Sequence, residues 1–322
     1  RHNPPRLGPP KGDIIVLSDY RRALVTGASS GFGAAVTRSL RARGVETIAL
    51  ARRADRLDAL AAETGCEALA VDLCDTDALY AALYDLEVDI LVNNAGVNRA
   101  MGKTLLETAR EDIDATTLTN VLSVLHVIRA VAPGMAARRR GHIVNIGSIA
   151  GLHSITQCLY GASKGAIHKL SQDLRLDLAG TGVRVTEICP GRARTELFEA
   201  GFEDAEDARA FATGFDLLES EDIAEAVLYA LDTPWRVNVS TIELFPTEQA
   251  AGGPVVTLAD ARPVAGPVPQ SLRQPAGRVP GTAGPAGCGP RQPAAGRGDG
   301  RAAAGGAGRA GRRCGAADWR RG

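Results

Sequence analysis

Between residues 21 and 250, short apolar runs bounded by turn residues recur seven times: "ALVTG", "ETIALA", "EALAVD", "DILVNN", "HIVNIGS", "VRVTEICP" and "STIELF". Their brevity and their branched residues read as buried strands. Between them lie Ala/Leu/Arg-rich stretches with helical spacing, such as "AAVTRSLRARG" and "ADRLDALAAETG", the second predicted to stop at Gly65. Strands that are apolar on both faces and alternate with helices are buried most simply as a parallel sheet with helices on both sides. The expected class is therefore α/β. Right-handed crossovers then bring the carboxyl ends of the strands to one edge, where ligands bind in such folds.

The ends of the chain have a different texture. Residues 251–322 hold 17 of the 37 glycines, 9 of the 17 prolines and 11 arginines against three aspartates, so a neutral whole divides into a basic tail and an acidic body. Such a segment buries too little apolar surface to offset a backbone ordering cost of about 1–2 kcal/mol per residue. The expected organisation is a flexible extension at 1–20, one catalytic domain at 21–250, and a disordered Gly/Pro/Ala/Arg-rich tail at 251–322. An arginine-rich arm for nucleic acid is the alternative reading of the tail; with no Lys and one aromatic residue, Trp319, no nucleic-acid partner is expected.

The six cysteines form no metal-like spacing and the histidines no cluster, so no metal is expected. Near the start, the only apolar run is "IIVL". It is shorter than the about 7–15 residues of a signal-peptide core or the about 20 of a membrane span, and the expectation is a soluble cytoplasmic protein with no membrane partner.

After the first strand comes "TGASSGFG", leading into a helix. Gly27, Gly31 and Gly33 let the backbone turn and approach a pyrophosphate, with Ser29, Ser30 and Phe32 beside them, at a helix end rich in free N–H groups. The second strand ends in Arg52 and Arg53, with no carboxylate until Asp55. Dinucleotide folds that hold NAD commonly carry an acid there, whereas an arginine accommodates the extra phosphate of NADP, so the expected cofactor is NADP(H). For Arg53 the alternative is a solvated helix start. The third strand ends at Asp72 and Leu73, and the fourth at "VNNAG", which offers Asn93, Ala95 and Gly96 to the adenosine side.

Tyr160 and Lys164 stand four residues apart on a predicted helix, hence on one face. A lysine cation beside a phenol is expected to lower its pKa and fit it for proton transfer with a carbonyl or alcohol oxygen. Ser148, at the end of the fifth strand, can bond the same oxygen. Taken in order, "TGASSGFG", "NNAG", Asn120 in "LTNVLS", Ser148, "YGASK" and "PGRART" resemble the short-chain dehydrogenase/reductase family. The opening "VTGASSGFG" and the ending "TPWRVNVSTIELFPTEQA" look like its NADP-dependent serine/3-hydroxy acid dehydrogenase and clavaldehyde-type reductase branch.

The resemblance implies a single Rossmann-like domain with a seven-stranded parallel sheet and an oxidoreductase interconverting an alcohol and a carbonyl. It implies Tyr160 as general acid/base, Lys164 binding the nicotinamide ribose, Ser148 polarising the carbonyl, and Asn120 anchoring a water that links Lys164 to solvent. Pro190, Gly191 and Thr195 would close over the nicotinamide, and a homotetramer or dimer is expected. A regulator that keeps the fold without catalysis is the competing class; such proteins usually lose the Tyr or Lys, and both are present. Arg192 and Arg194, after "PG", either clamp a substrate carboxylate or phosphate or are solvated loop residues, and His153 is a candidate lining residue of the substrate cleft.

One irregularity stands out. Tyr160 follows Ser148 by 12 positions, where the family usually has thirteen. The loop 149–159 has to absorb the missing residue, or Ser148 is drawn away from the oxygen that Tyr160 serves. Ser154 is the only other serine in that loop and a poor substitute.

Overall fold

The computed structural model describes residues 17–199 and 216–249. All seven expected strands are present: β1 (Arg22–Thr26), β2 (Glu46–Ala51), β3 (Glu67–Ala70), β4 (Ile90–Asn93), β5 (Gly141–Ile146), β6 (Val183–Pro190) and β7 (Thr241–Leu244). They form one parallel sheet in the order β3-β2-β1-β4-β5-β6-β7. Chain order reverses between β1 and β4, which opens a crevice at their carboxyl ends.

Side-chain alternation along each strand sorts the core into two layers. Ala23 and Val25 of β1, Ala49 of β2 and Ile90 and Val92 of β4 face one cluster. Leu24, Ile48, Leu50 and Leu91 face the other. Helices α1 (Gly31–Ala42) and α2 (Ala54–Thr64) cover the first face, joined by α8 (Ser220–Leu231) through Ile223, Val227 and Leu231. The second face is covered by α3 (Thr76–Leu83), α5 (Ser123–Ala137) and α6 (Cys158–Asp177). The shorter helices between include the eight-residue α4 (Arg110–Thr117) and the four-residue α7 (Glu196–Glu199), the latter beside the crevice. As expected, α2 ends at Gly65, whose φ of 70° is the left-handed cap that glycine adopts without strain.

The helical run Arg110–Ala137 is long and apolar enough to cross a membrane by length and composition. Its apolar residues Val124, Val127, Ile128, Val131 and Met135 are spent on the second core layer instead.

The expected boundary at residue 21 shifts. Leu17 and Tyr20 are buried, the Leu17 amide donates to Asp232 at 3.0 Å, and the Tyr20 hydroxyl meets the guanidinium of Arg184 at 2.6 Å. Arg184 is itself buried and also donates to the carbonyls of Leu231, Thr233 and Val237. Residues 17–20 are thus tied into the domain by a buried arginine whose two terminal nitrogens donate to the Tyr20 hydroxyl and to backbone carbonyls. The rest of the expected extension, 1–16, and the expected tail, 251–322, lie outside the described residues.

Candidate active site

β1 delivers the glycine loop to the crevice. Gly27 sits at φ 66°, and a Cβ there would stand 2.8 Å from the Ala95 Cα, so only glycine lets this turn press against the segment after β4. Gly33 is tighter still, since its Cβ would lie 2.5 Å from both Asn94 Nδ2 and the Gly27 carbonyl oxygen. Gly33 does not line the crevice; it is a packing contact between α1 and the β4 loop. An alanine in a helix interior ordinarily gains up to about 1 kcal/mol over glycine. Here the overlap with backbone, about 1–3 kcal/mol for an overpacked site, reverses the sign. Gly33→Ala is expected to lower the melting temperature and weaken dinucleotide binding; a variant that melts higher than wild type counts against this packing.

Ser30 occupies the N-cap of α1, yet its side chain caps nothing; its hydroxyl accepts from Arg53 Nη2 at 2.8 Å. The first-turn N–H groups therefore have no side-chain acceptor at the cap and face an anion site. Arg53 also donates to Ser29 Oγ at 2.9 Å and to Glu196 Oε2 at 2.9 Å. Arg52 stands 4.0 Å from Asp72. With two arginines and no acid at the end of β2, an uncapped helix start and a backbone cleared by glycine, these residues fit a dinucleotide that carries a phosphate on its adenosine ribose.

The crevice has a volume of about 1000 Å³. It is lined by the expected Gly27, Ser29, Ser30, Gly31, Phe32, Arg52, Arg53, Asp72, Leu73, Ala95 and Gly96, and on the reacting side by Ser148, Tyr160, Lys164, Pro190, Gly191, Arg192 and Thr195. Four other expected residues do not line it. Asn93 is buried with its amide on Asn145 at 2.8 Å, and it is Asn94 that faces the crevice. His153 pairs with Glu243 at 3.1 Å and Arg194 with Glu219 at 3.0 Å; neither lines the cleft. Asn120 is almost fully buried in a π-helical turn, Leu118–Leu122, that interrupts the helix between α4 and α5. Its side chain accepts from the Val97 amide at 2.8 Å and donates to the Val97 carbonyl at 2.8 Å and to Ser163 at 3.0 Å. That amide clamps the β4 loop to α6, and a π-turn of this kind commonly marks a functional position.

Residues without a motif complete the cleft. Asn98 donates to Gln157 at 2.6 Å, beside Met101, and Gln249 accepts from the Arg192 amide at 2.8 Å. No local pattern marks them, because each meets its partner across a long stretch of chain.

The missing residue between Ser148 and Tyr160 is absorbed. Directly after Ser148 the chain tightens into a 3₁₀ turn, Ile149–Gly151, which the Ser148 hydroxyl caps by accepting from the Ala150 amide at 3.1 Å. From there the chain reaches the start of α6 at Cys158, and both Ser148 and Tyr160 line the cleft, the Ser148 hydroxyl near enough to the Tyr160 phenol to act on its pKa.

Lys164 donates to the Ile146 carbonyl at 2.8 Å, and its Nζ lies 5.9 Å from the centre of the Tyr160 ring. Burial pulls its pKa down to about 8, with Glu187 among the negative groups opposing that shift. The expected depression of the Tyr160 pKa is corrected. Tyr160 keeps some surface in the cleft but is surrounded closely enough that burial pushes it up to about 12, with the Ser148 hydroxyl acting against that. A phenol so placed holds its proton through neutral and mildly alkaline pH and can donate it.

Known proteins resemble this chain in sequence and fold. The model of the short chain dehydrogenase family matches residues 21–206. The chain is 39% identical over 241 residues to the NADP-dependent 3-hydroxy acid dehydrogenase YdfG of Salmonella typhi, a match covering 71% of this chain and 96% of that protein. It is 37% identical over 239 residues to the uncharacterized short-chain type dehydrogenase/reductase y4eK of Sinorhizobium fredii, covering 74% of this chain and 96% of the relative. Among solved structures, the closed form of a serine dehydrogenase complexed with NADP+ superposes with a TM-score of 0.70 at 37% identity, over 72% of this chain and 98% of its own.

Proposed function

Because the chain belongs to the short-chain dehydrogenase/reductase family, we propose that its cleft interconverts a small 3-hydroxy acid and the corresponding 3-oxo acid or aldehyde. The protein is an NADP(H)-dependent oxidoreductase acting on CH–OH groups. The observation that carries the substrate reading is the position of Arg192, which lines the cleft from the loop after β6 on the same side as Ser148 and Tyr160. The planar fork of an arginine there matches a carboxylate, which it can hold with two parallel hydrogen bonds.

NADP(H) supplies the hydride for reduction and takes it up for oxidation. For the rest, Tyr160 gives its proton to the carbonyl oxygen as the alcohol forms and takes one back in the reverse direction. Ser148 steadies the same oxygen, and the Lys164 ammonium, held by Ile146, opposes the negative charge left on the phenol. Asn120 orders the loop beneath the cofactor and the Lys164 side of α6. Gly27, Ser29–Phe32, Arg52 and Arg53 hold the pyrophosphate and ribose phosphate; Asp72, Leu73, Ala95 and Gly96 flank the adenosine; Pro190, Gly191 and Thr195 flank the nicotinamide.

The catalytic domain is assigned to residues 17–250. Exposed Leu122 and Leu125 at the α5 surface support self-association as a dimer or tetramer. The four free cysteines among the described residues fit a reducing cytoplasm.

The test follows NADPH absorbance against 3-oxo acids and aldehydes. Activity on an acid is expected to exceed that on its methyl ester, and Arg192→Ala to raise KM for the acid by about 10- to 100-fold, the range of a lost charge-assisted hydrogen bond, with little change for the ester. An equal response of both substrates would overturn the carboxylate reading.

A further inference from the structure

The arginines at the end of β2 are already engaged by a carboxylate from the far side of the cleft. Glu196, the first residue of α7, accepts from Arg53 Nη1 at 2.9 Å at one oxygen and from Arg56 of α2 at the other. The Ser30 hydroxyl at the start of α1, itself held by Arg53, stands near enough to help lower the Glu196 pKa to about 2. The same Arg53 and Ser30 bound the place where the cofactor's ribose phosphate has to sit, and Glu196 itself lines that part of the cleft. In geometry and charge, the carboxylate does there what a phosphate would do. Two oxygens face two guanidinium groups and a hydroxyl, the donor set that recognises an oxyanion.

We infer that Glu196 is a specificity-determining residue, an internal stand-in for the 2′-phosphate that NADP(H) has to displace and NAD(H) does not. The inference rests on the NADP(H) reading of Arg53. The phosphate and the Glu196 carboxylate carry like charge and cannot share Arg53 and Ser30 at close range, so binding of the phosphate drives Glu196 outward. Thr195 and Leu197, its chain neighbours, line the cleft as well, so the displacement reaches the reacting side. A cofactor without the phosphate leaves the Arg53–Glu196–Arg56 bridge intact. The ion pairs are about half exposed, which keeps the competition modest enough for the phosphate to win.

An internal competitor weakens apparent affinity by the fraction of time it holds the site. Removing its charge therefore tightens NADP(H) binding selectively. The experiment measures equilibrium binding of NADPH, NADH, 2′,5′-ADP and 5′-AMP to the full chain, for wild type, Glu196→Gln, Glu196→Ala and Arg53→Gln, each confirmed folded by its thermal melt. Both Glu196 variants are expected to bind NADPH and 2′,5′-ADP about three- to tenfold more tightly, with NADH and 5′-AMP unchanged. Arg53→Gln is expected to weaken only NADPH and 2′,5′-ADP, the two ligands that carry the 2′-phosphate.

If the Glu196 variants bind NADPH no better, or worse, while Arg53→Gln loses NADPH preference, the stand-in is overturned and Arg53 keeps its assigned role. If Arg53→Gln leaves the NADPH to NADH ratio unchanged, the ribose-phosphate reading of Arg53 fails and the inference fails with it.

Discussion

Tyr160→Phe is expected to lower kcat/KM by about 10²- to 10⁴-fold while NADPH binds with unchanged affinity. The phenylalanine keeps the ring that packs at the start of α6 and removes one oxygen. That oxygen is the proton donor of the proposed mechanism, with the Ser148 hydroxyl near enough to act on its pKa. Ser148 remains, but its hydroxyl is already turned to the Ala150 amide and the Pro190 carbonyl and is too weak an acid to replace a phenol. The loss is therefore expected in kcat, with KM little changed, because the proton moves only in the transition state. Single-turnover oxidation of NADPH, read beside its dissociation constant, separates the two. Turnover within a few-fold of wild type would remove Tyr160 from the chemistry and return the protein to the class of dinucleotide-binding regulators.

Much of this site is legible from residues because its parts are local. The glycine loop needs only a strand end and a helix start, and Tyr160 and Lys164 meet because a helix repeats every turn. The strands are legible because they are apolar on both faces. Where the reading failed, the deciding contact was long-range. Nothing near Arg194 or His153 announces Glu219 or Glu243, which divert them from the cleft. Within the segment Asn93 to Gly96, strand phase sets Asn93 apart: β4 points it inward at Asn145 and leaves its neighbour Asn94 to face the crevice. The bridge from Arg53 to Glu196 spans 143 residues, beyond any motif. The short Ser148 to Tyr160 interval shows as a count, but whether it is harmless depended on a 3₁₀ turn that the sequence does not mark.

Lys164→Met is expected to abolish turnover and yet raise thermal stability at neutral pH. Lys164 is 6% exposed, and its pKa falls from 10.5 to about 8 on folding. A depressed base is a charge that the folded protein holds reluctantly. The folded state binds fewer protons than the unfolded one between pH 8 and 10.5, so stability rises with pH across that window. Below about pH 8 the whole penalty is present, on the order of 3 kcal/mol from the shift. Methionine has a similar reach and carries no charge, which removes the penalty and leaves the Ile146 carbonyl without its donor, at a cost of about 1–3 kcal/mol. The gain is expected to survive at the low end of that cost, as about 1–2 kcal/mol and a melting temperature several degrees higher at pH 7. It should shrink toward zero near pH 10, where wild type has lost the same charge. Melts of both proteins at pH 7 and pH 10 check the sign, and a variant that melts lower at pH 7 would show that the buried ammonium is held without strain. Its inactivity has the same origin as its stability. In the proposed mechanism, with burial already pushing the Tyr160 phenol up to about 12, the cation that costs the fold its stability is the charge 5.9 Å from the ring that opposes the negative charge left when the phenol gives up its proton.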